Sequence, residues 1–405
     1  MELTADDLTR ACGDLAADAG ITIDVDLEPA AGPGSPVKPA IYSGRQYQMD
    51  RRWWGEGDSR RVVDAIVIDN EPSQANRHEA ALELLAEELG LPRIVLDLSG
   101  VGPLPPHLPT SISSFRFPHR HADAYLRDAV LDGTPFHRTT IGKAIFDATA
   151  DRPEALFEWF PQALLYGFWQ SHLGKKRGQA KLARSWSSQI VGYEPAASPD
   201  EPTITLGTKG DPLNLSVDET VQYDEDDLLA EPWRRVEGST RSGGQKGGKK
   251  KDALSNIGHG QVPFRTSEAA LAGVSFAAIN QRATVSFASL RRVATGDRDA
   301  DAAGRALLVS LGLLAHVTAF GRAFSLRSGC DLRPVRTRWT WLGADGDEEV
   351  AVLDHESAVE LFRACVERAE AAGLPVGSRW ASQPLVVEPN EELAKAIRAS
   401  WPLTD

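Results

Sequence analysis

Residues 62–69, VVDAIVID, alternate and are rich in β-branched side chains, with Val63, Ala65, Val67 and Asp69 on one side, so the spacing predicts a half-buried strand. The next twenty residues, NEPSQANRHEAALELLAEEL, change period. Ala81, Leu82, Leu85 and Leu89 recur at three and four, which predicts a helix, with Pro72 in its first turn and Asp69, Asn70 or Ser73 as cap. On a helical wheel Gln74 and His78 fall in line with the apolar stripe and Arg77 lies on its shoulder. This polar start has two readings. Polar residues in a first turn satisfy orphan backbone groups; alternatively, free N–H groups, the dipole end, an amide and a guanidinium converge on an anion such as phosphate.

The pattern continues along the chain. An N-terminal helix leads to the Pro/Gly-rich loop PAAGPGSPVKPAIYSG, and PRIVLDLSG reads as a second strand. SSFRFPHRHADAYLRD turns from extended to helical near Ala122, and ALFEWFPQALLYGFW is an apolar helical segment broken at Pro161. LARSWSSQIVGYEP alternates as a strand, GVSFAAI and ATVSFASLRRV follow, and AAGRALLVSLGLLAHVTAFGR is a long apolar helix. The extended stretch AFSLRSGCDLRPVRTRWTWL and helices near 355–371 and 390–400 complete it. Strands and helices mix irregularly, which predicts an α+β fold, taken as one elaborated domain over 1–405. Residues 194–252, proline-rich, then acidic, then RSGGQKGGKKKD, read as a flexible insertion.

Composition narrows the function classes. With 42% hydrophobic residues the chain can bury a core, and it lacks the uninterrupted apolar run of a membrane span, so a cytoplasmic protein is expected. Three scattered cysteines offer neither a disulfide framework nor a zinc cluster, and no metal or cofactor is expected. The net charge of −13 opposes nucleic-acid binding, but its distribution does not. HLGKKRGQAKLAR carries Lys175, Lys176, Arg177, Lys181 and Arg184 without an acid, while DETVQYDEDDLLAE is almost wholly acidic. Such segregation allows a basic groove on an acidic body.

Several motifs fail on inspection. LDLSGVGPLPP lacks a helix where a dinucleotide fingerprint needs one, and GGQKGGKK places Lys250 where a phosphate loop needs Ser or Thr. His119, His121, Asp123 and His137 in PHRHADAYLRD and DGTPFHRTT have the residue types of a metal-dependent or histidine-based ribonuclease, the alternative reading of function.

Seven stretches, KPAIYSGRQYQMDRRW, VIDNEPSQANRHEAAL, SISSFRFPHRHADAYLRDAVLDGTPFHRTTIG, FPQALLYGFWQSHLGKKRGQAKLARSWSSQIVGYE, SNIGHGQVPF, ATVSFASLRRV and FSLRSGCDL, occur in order over most of residues 38–335. Together they resemble the "Cas-seven" backbone subunits of type I-G (formerly I-U) CRISPR interference complexes, members of the RAMP superfamily. The resemblance implies a ferredoxin-like, RRM-type core elaborated into a hand-shaped subunit. It implies a non-catalytic role: copies multimerise along a CRISPR RNA and present it to target DNA. The implied partners are the large subunit, a fused guide-processing subunit and a recruited helicase-nuclease, with no membrane involved. A guide held without regard to sequence needs cationic and amide contacts to its backbone. The leading contact candidates are therefore Gln74, Asn76, Arg77, Lys175, Lys176, Arg177, Lys181 and Arg184, then His119, Arg120, His137 and Arg138, then Arg291, Arg327 and Arg333. Trp53 and Trp54 in DRRWWGEGD are candidates for stacking on bases.

Overall fold

Ten residues, GITIDVDLEP, form the strand β1 (Gly20–Pro29), and their strict alternation decides the architecture. Ile21, Ile23, Val25 and Leu27 face the core, while Asp24, Asp26 and Glu28 face the other way. The computed structural model describes residues 1–42, 46–55, 57–170, 180–196, 270–380 and 383–401, with further two-residue strands at 204–205, 221–222 and 234–235. Lys175, Lys176 and Arg177 lie outside the described residues, as does most of the expected insertion over 194–252.

In chain order the main sheet takes β1, β2 (Ile41–Tyr42), β3 (Gln46–Trp54) and β4 (Arg61–Asp69). A second sheet begins with β5 (Ile94–Asp97), β6 (Ser111–Ser113), β7 (Ala129–Leu131) and β8 (Thr134–Pro135). The pair β9 (Phe168–Trp169) and β10 (Lys181–Leu182) flanks the basic run. The main sheet resumes with β11 (Trp186–Pro195), β12 (Phe276–Ser286), β13 (Phe324–Arg327), β14 (Cys330–Gly343) and β15 (Gly346–Val350), and β16 (Leu385–Pro389) joins the second sheet. The helices are α1 (Ala5–Ala11), α2 (Glu71–Leu85), α3 (Ala124–Arg127), α4 (Thr140–Phe146), α5 (Glu154–Trp159), α6 (Pro161–Tyr166), α7 (Phe287–Leu290), α8 (Arg298–Phe320), α9 (His355–Ala371) and α10 (Glu391–Ser400).

Among the described residues the main sheet has nine strands in the order β13-β14-β1-β12-β11-β4-β3-β2, with β15 on β14, and its ladders are antiparallel. An antiparallel sheet can bury one face and wet the other, and this one does both. One face packs on α2 and α8; the other presents polar residues around a small apolar island of Val63, Ala65, Val191 and Tyr193, covered by Trp54. The fold is thus α+β, as expected. The stretches GVSFAAI and ATVSFASLRRV contribute to the single strand β12, and the helix expected near Ala122 is a 3-10 turn followed by α3.

α8 is long and apolar enough to cross a membrane by length and composition, but it is the core helix here, 89% buried along its most apolar window. It even encloses a cation. Arg305, 1% exposed, donates to the carbonyls of Val293 at 2.8 Å and Cys12 at 3.1 Å and pairs with Asp14 at 2.7 Å. Close packing also explains Gly312, where an added Cβ would lie 2.6 Å from Cε3 of Trp186. Gly312→Ala is expected to destabilise the protein by about 1–3 kcal/mol despite the better helix propensity of alanine. Urea unfolding midpoints check this, and an unchanged midpoint would show that Trp186 moves aside freely.

Candidate nucleic-acid interface

The sequence hands β4 over to α2 through Asp69 and Asn70, and the structure makes that junction the meeting point of distant segments. Asn70 is the cap: its Oδ1 accepts from the Ser73 amide at 3.2 Å. Asp69, fully buried, gathers four donors. The Ser73 hydroxyl donates at 2.9 Å, the Gln74 amide at 2.6 Å, Arg77 Nε at 3.0 Å and Arg327 Nη2 at 2.8 Å. Arg77 also donates to the Leu326 carbonyl at 2.9 Å, and Arg327 to those of Lys38 at 3.2 Å and Ile68 at 3.0 Å. Two guanidiniums on one carboxylate leave one net positive charge, and their side chains stay 28% and 26% exposed.

Gln74 is placed differently from the expectation. It is 0% exposed, and its Oε1 accepts from Ser188 at 2.8 Å and Gln281 Nε2 at 2.7 Å while its amide holds Asp69. In this geometry its amide faces no groove; it locks α2 to β11 and β12. The wheel position in line with the apolar stripe is the sequence signal for that burial. Asn76 is exposed on the adjoining turn.

The second tier divides. Arg120 adopts a left-handed backbone, φ 56°, and forks onto Glu79 at 2.8 and 2.9 Å while donating to the Gly167 carbonyl at 3.0 Å. It is an internal strut between α2 and the turn before β9, turned away from solvent. Burial pushes the Glu79 carboxyl up, against the pull of Arg120. Arg291 is likewise engaged, donating to the carbonyls of Gly13, Ala16 and Asp18 at the end of α1. Arg138 and Arg184 are exposed, and so is Lys181, which lies 5.8 Å from the Trp169 ring centroid.

The residues of the ribonuclease alternative sit in different surroundings. His121 is enclosed, its ring 4.5 Å from that of Phe168, and burial drives its pKa down to about 3. Asp123 caps α3 and accepts from the amides of His119 and Tyr125, each at 2.9 Å. His137 has a buried Nδ1 with no hydrogen-bond partner among the described residues. Among those residues no three His, Cys, Asp or Glu gather at metal-binding geometry.

The expected cationic trough takes another form on the open sheet face. Arg282 pairs with Asp24 at 2.6 Å, Arg333 with Glu28 at 2.6 Å, Arg336 with Asp26 at 2.8 Å and Arg52 with Asp50 at 2.8 Å. Cross-strand register produces the three pairs on β1, since Asp24 stands opposite Arg282 on β12 and Asp26 and Glu28 stand opposite Arg336 and Arg333 on β14. Three of the four acids, Asp24, Asp26 and Glu28, come from β1, a strand whose contribution the charge runs alone do not disclose.

None of the curated proteins compared with the chain matches it. A family model described as CRISPR-associated protein GSU0053 matches residues 21–196, from β1 through β4 and α2 to β11. That span holds Asp69, Gln74, Asn76, Arg77, Arg120, Lys181 and Arg184, while Arg291 and Arg327 lie beyond it. Through residues 21–196, which carry the junction and most of the sheet's centre, the chain is similar to this CRISPR-associated family.

Proposed function

We propose that the chain is a non-catalytic, guide-RNA-binding backbone subunit of a type I CRISPR interference complex, of the Cas-seven kind, several copies of which assemble along one CRISPR RNA. The family match over residues 21–196 carries this reading. The junction supports it: stretches that resemble such subunits, though up to 258 residues apart in the chain, meet at Asp69. There they hold Arg77 and Arg327 about one quarter exposed, next to the exposed Asn76. A rigid, prepaid arrangement of guanidiniums suits a phosphodiester, because little side-chain freedom remains to be lost on binding. The guide's bases then stay available to target DNA, and the large subunit, guide-processing subunit and helicase-nuclease supply the other steps in the cytoplasm.

Single-stranded RNA binding tests the reading. If a copy neutralises about four phosphates, affinity should fall roughly 50-fold between 50 and 200 mM salt. The paired variant Lys181→Glu, Arg184→Glu is expected to weaken binding several-fold without changing stability, because both side chains are exposed. Salt-independent binding, or RNA cleavage by the purified chain, would count against the proposal.

A further inference from the structure

The open face of the main sheet contains a cleft of about 330 Å³ beside the junction at Asp69. β3, β11 and β12 form it, and Arg52, Trp53, Gln189, Tyr193, Asn280 and Arg282 are among its lining residues. Its charges are already matched. Arg52 donates to Asp50 at 2.8 Å, and Arg282 forks onto Asp24 at 3.0 and 2.6 Å, while Glu71 also lines the cleft. An anionic phosphate would meet carboxylates there, so the cleft favours a ligand without net charge.

Two amides give that ligand a defined edge. Gln189 accepts from Arg52 Nη2 at 2.9 Å, which leaves its amide nitrogen as the group it can offer. Asn280, 5% exposed, donates to Asp24 at 2.8 Å and Asp26 at 3.3 Å, which leaves its oxygen. In the sheet register Gln189 stands opposite Arg282 and Val191 opposite Asn280, so the two amides are diagonal neighbours on adjacent strands. Both are held by ion-paired partners, and so a donor and an acceptor are presented side by side in fixed orientation. Aromatic surface adjoins them. Tyr193 is covered by Trp54, with ring centroids 4.0 Å apart, so the open aromatic surface is that of Trp53, which is 62% exposed. A planar group with a donor-acceptor edge and a π-face matches these features together.

We propose that this cleft is a nucleobase subsite, in which one unstacked base of the bound RNA packs against Trp53 and bonds through its edge to Gln189 and Asn280. The inference rests on the reading of the chain as an RNA binder and adds a base contact to the backbone contacts proposed above. Stacking tolerates any base, and the two amides favour bases whose edge sets an acceptor beside a donor.

The test uses the full chain with two probes: single-stranded RNA bearing 4-thiouridine, and an abasic ribose-phosphate oligomer of the same length. Long-wave ultraviolet light should cross-link the RNA to peptides from residues 46–54, 186–195 or 276–286. Trp53→Ala should weaken RNA binding about tenfold and leave the abasic oligomer unaffected, with Trp53→Phe restoring most of the loss. Gln189→Leu should reduce cross-linking through the lost edge contact. If Trp53→Ala weakens both probes equally, or cross-links map only elsewhere, the subsite is overturned while RNA binding stands. Failure of the unaltered chain to bind either probe would overturn the RNA-binding reading and the subsite with it.

Discussion

Replacing Asp69 with alanine is expected to destabilise the protein by about 3–5 kcal/mol, the scale for removing one partner of a buried ion pair. Asp69 is fully buried and is the shared acceptor for Ser73, Gln74, Arg77 and Arg327, so its loss strands two guanidiniums, an amide and a hydroxyl at once. Asp69→Asn keeps one acceptor and the side-chain volume and should cost less. Guanidinium or urea unfolding of the two variants measures both effects. The same variants separate charge from positioning. Deleting a carboxylate makes the chain less negative, and charge arithmetic alone would have RNA affinity rise. If Asp69 instead orients Arg77 and Arg327, affinity should fall in Asp69→Ala even at temperatures where the variant remains folded. An increase in affinity would show that the carboxylate merely masks positive charge.

Local period carried much of the fold into view. The change from period two to period three and four places β4 and α2 correctly, and the residues near 355–371 and 390–400 form α9 and α10. β1 was equally legible, since ITIDVDLE alternates without a break, yet a reading that passes from the N-terminal helix to the Pro/Gly-rich loop overlooks it. That omission hides most of the acids of the sheet lattice. Gln74 shows a different limit. Its alignment with the apolar stripe announces burial, whereas its place in a first turn suggests an anion; the deciding partners, Ser188 and Gln281, lie 114 and 207 residues away. Pairings at that separation follow from sheet register, which no local pattern encodes. Arg120 is similar, because only the fold brings Glu79 within reach of its fork. Exposed cations such as Arg184 and buried struts such as Arg120 look alike as letters; burial separates them.

Acidification is expected to unfold the protein steeply, through histidines that take the place of apolar residues. His78, His121 and His316 are buried, and neither ring nitrogen of His78 or His121 has a hydrogen-bond partner among the described residues. Burial drives His121 and His316 down to about 3; it also takes His78 well below its ordinary value, with a further push from His316. Because these folded-state values lie below the unfolded value near 6.5, the unfolded chain binds protons first as pH falls. Their neutral burial is therefore fully tolerated above about pH 6.5, and stability is lost below it, by ~1.4 kcal/mol per pH unit for each histidine and ~4 kcal/mol for the three together. Glu79 acts in the opposite sense: its folded carboxyl is raised by burial, so protonation favours the folded state as pH falls. One carboxyl against three imidazoles leaves the net slope destabilising toward acid. For a protein of ordinary stability, about 5–15 kcal/mol, such a slope brings unfolding within a few pH units of neutrality. Unfolding midpoints followed by tryptophan fluorescence from about pH 7.5 to pH 5 measure it. His316→Phe, which retains the aromatic contacts with His78 and Phe320 and removes the titrating group, should make the slope shallower by about one third. Equal slopes in the parent and the variant would mean that the acid response comes from other groups, and that water reaches His316 in the folded protein.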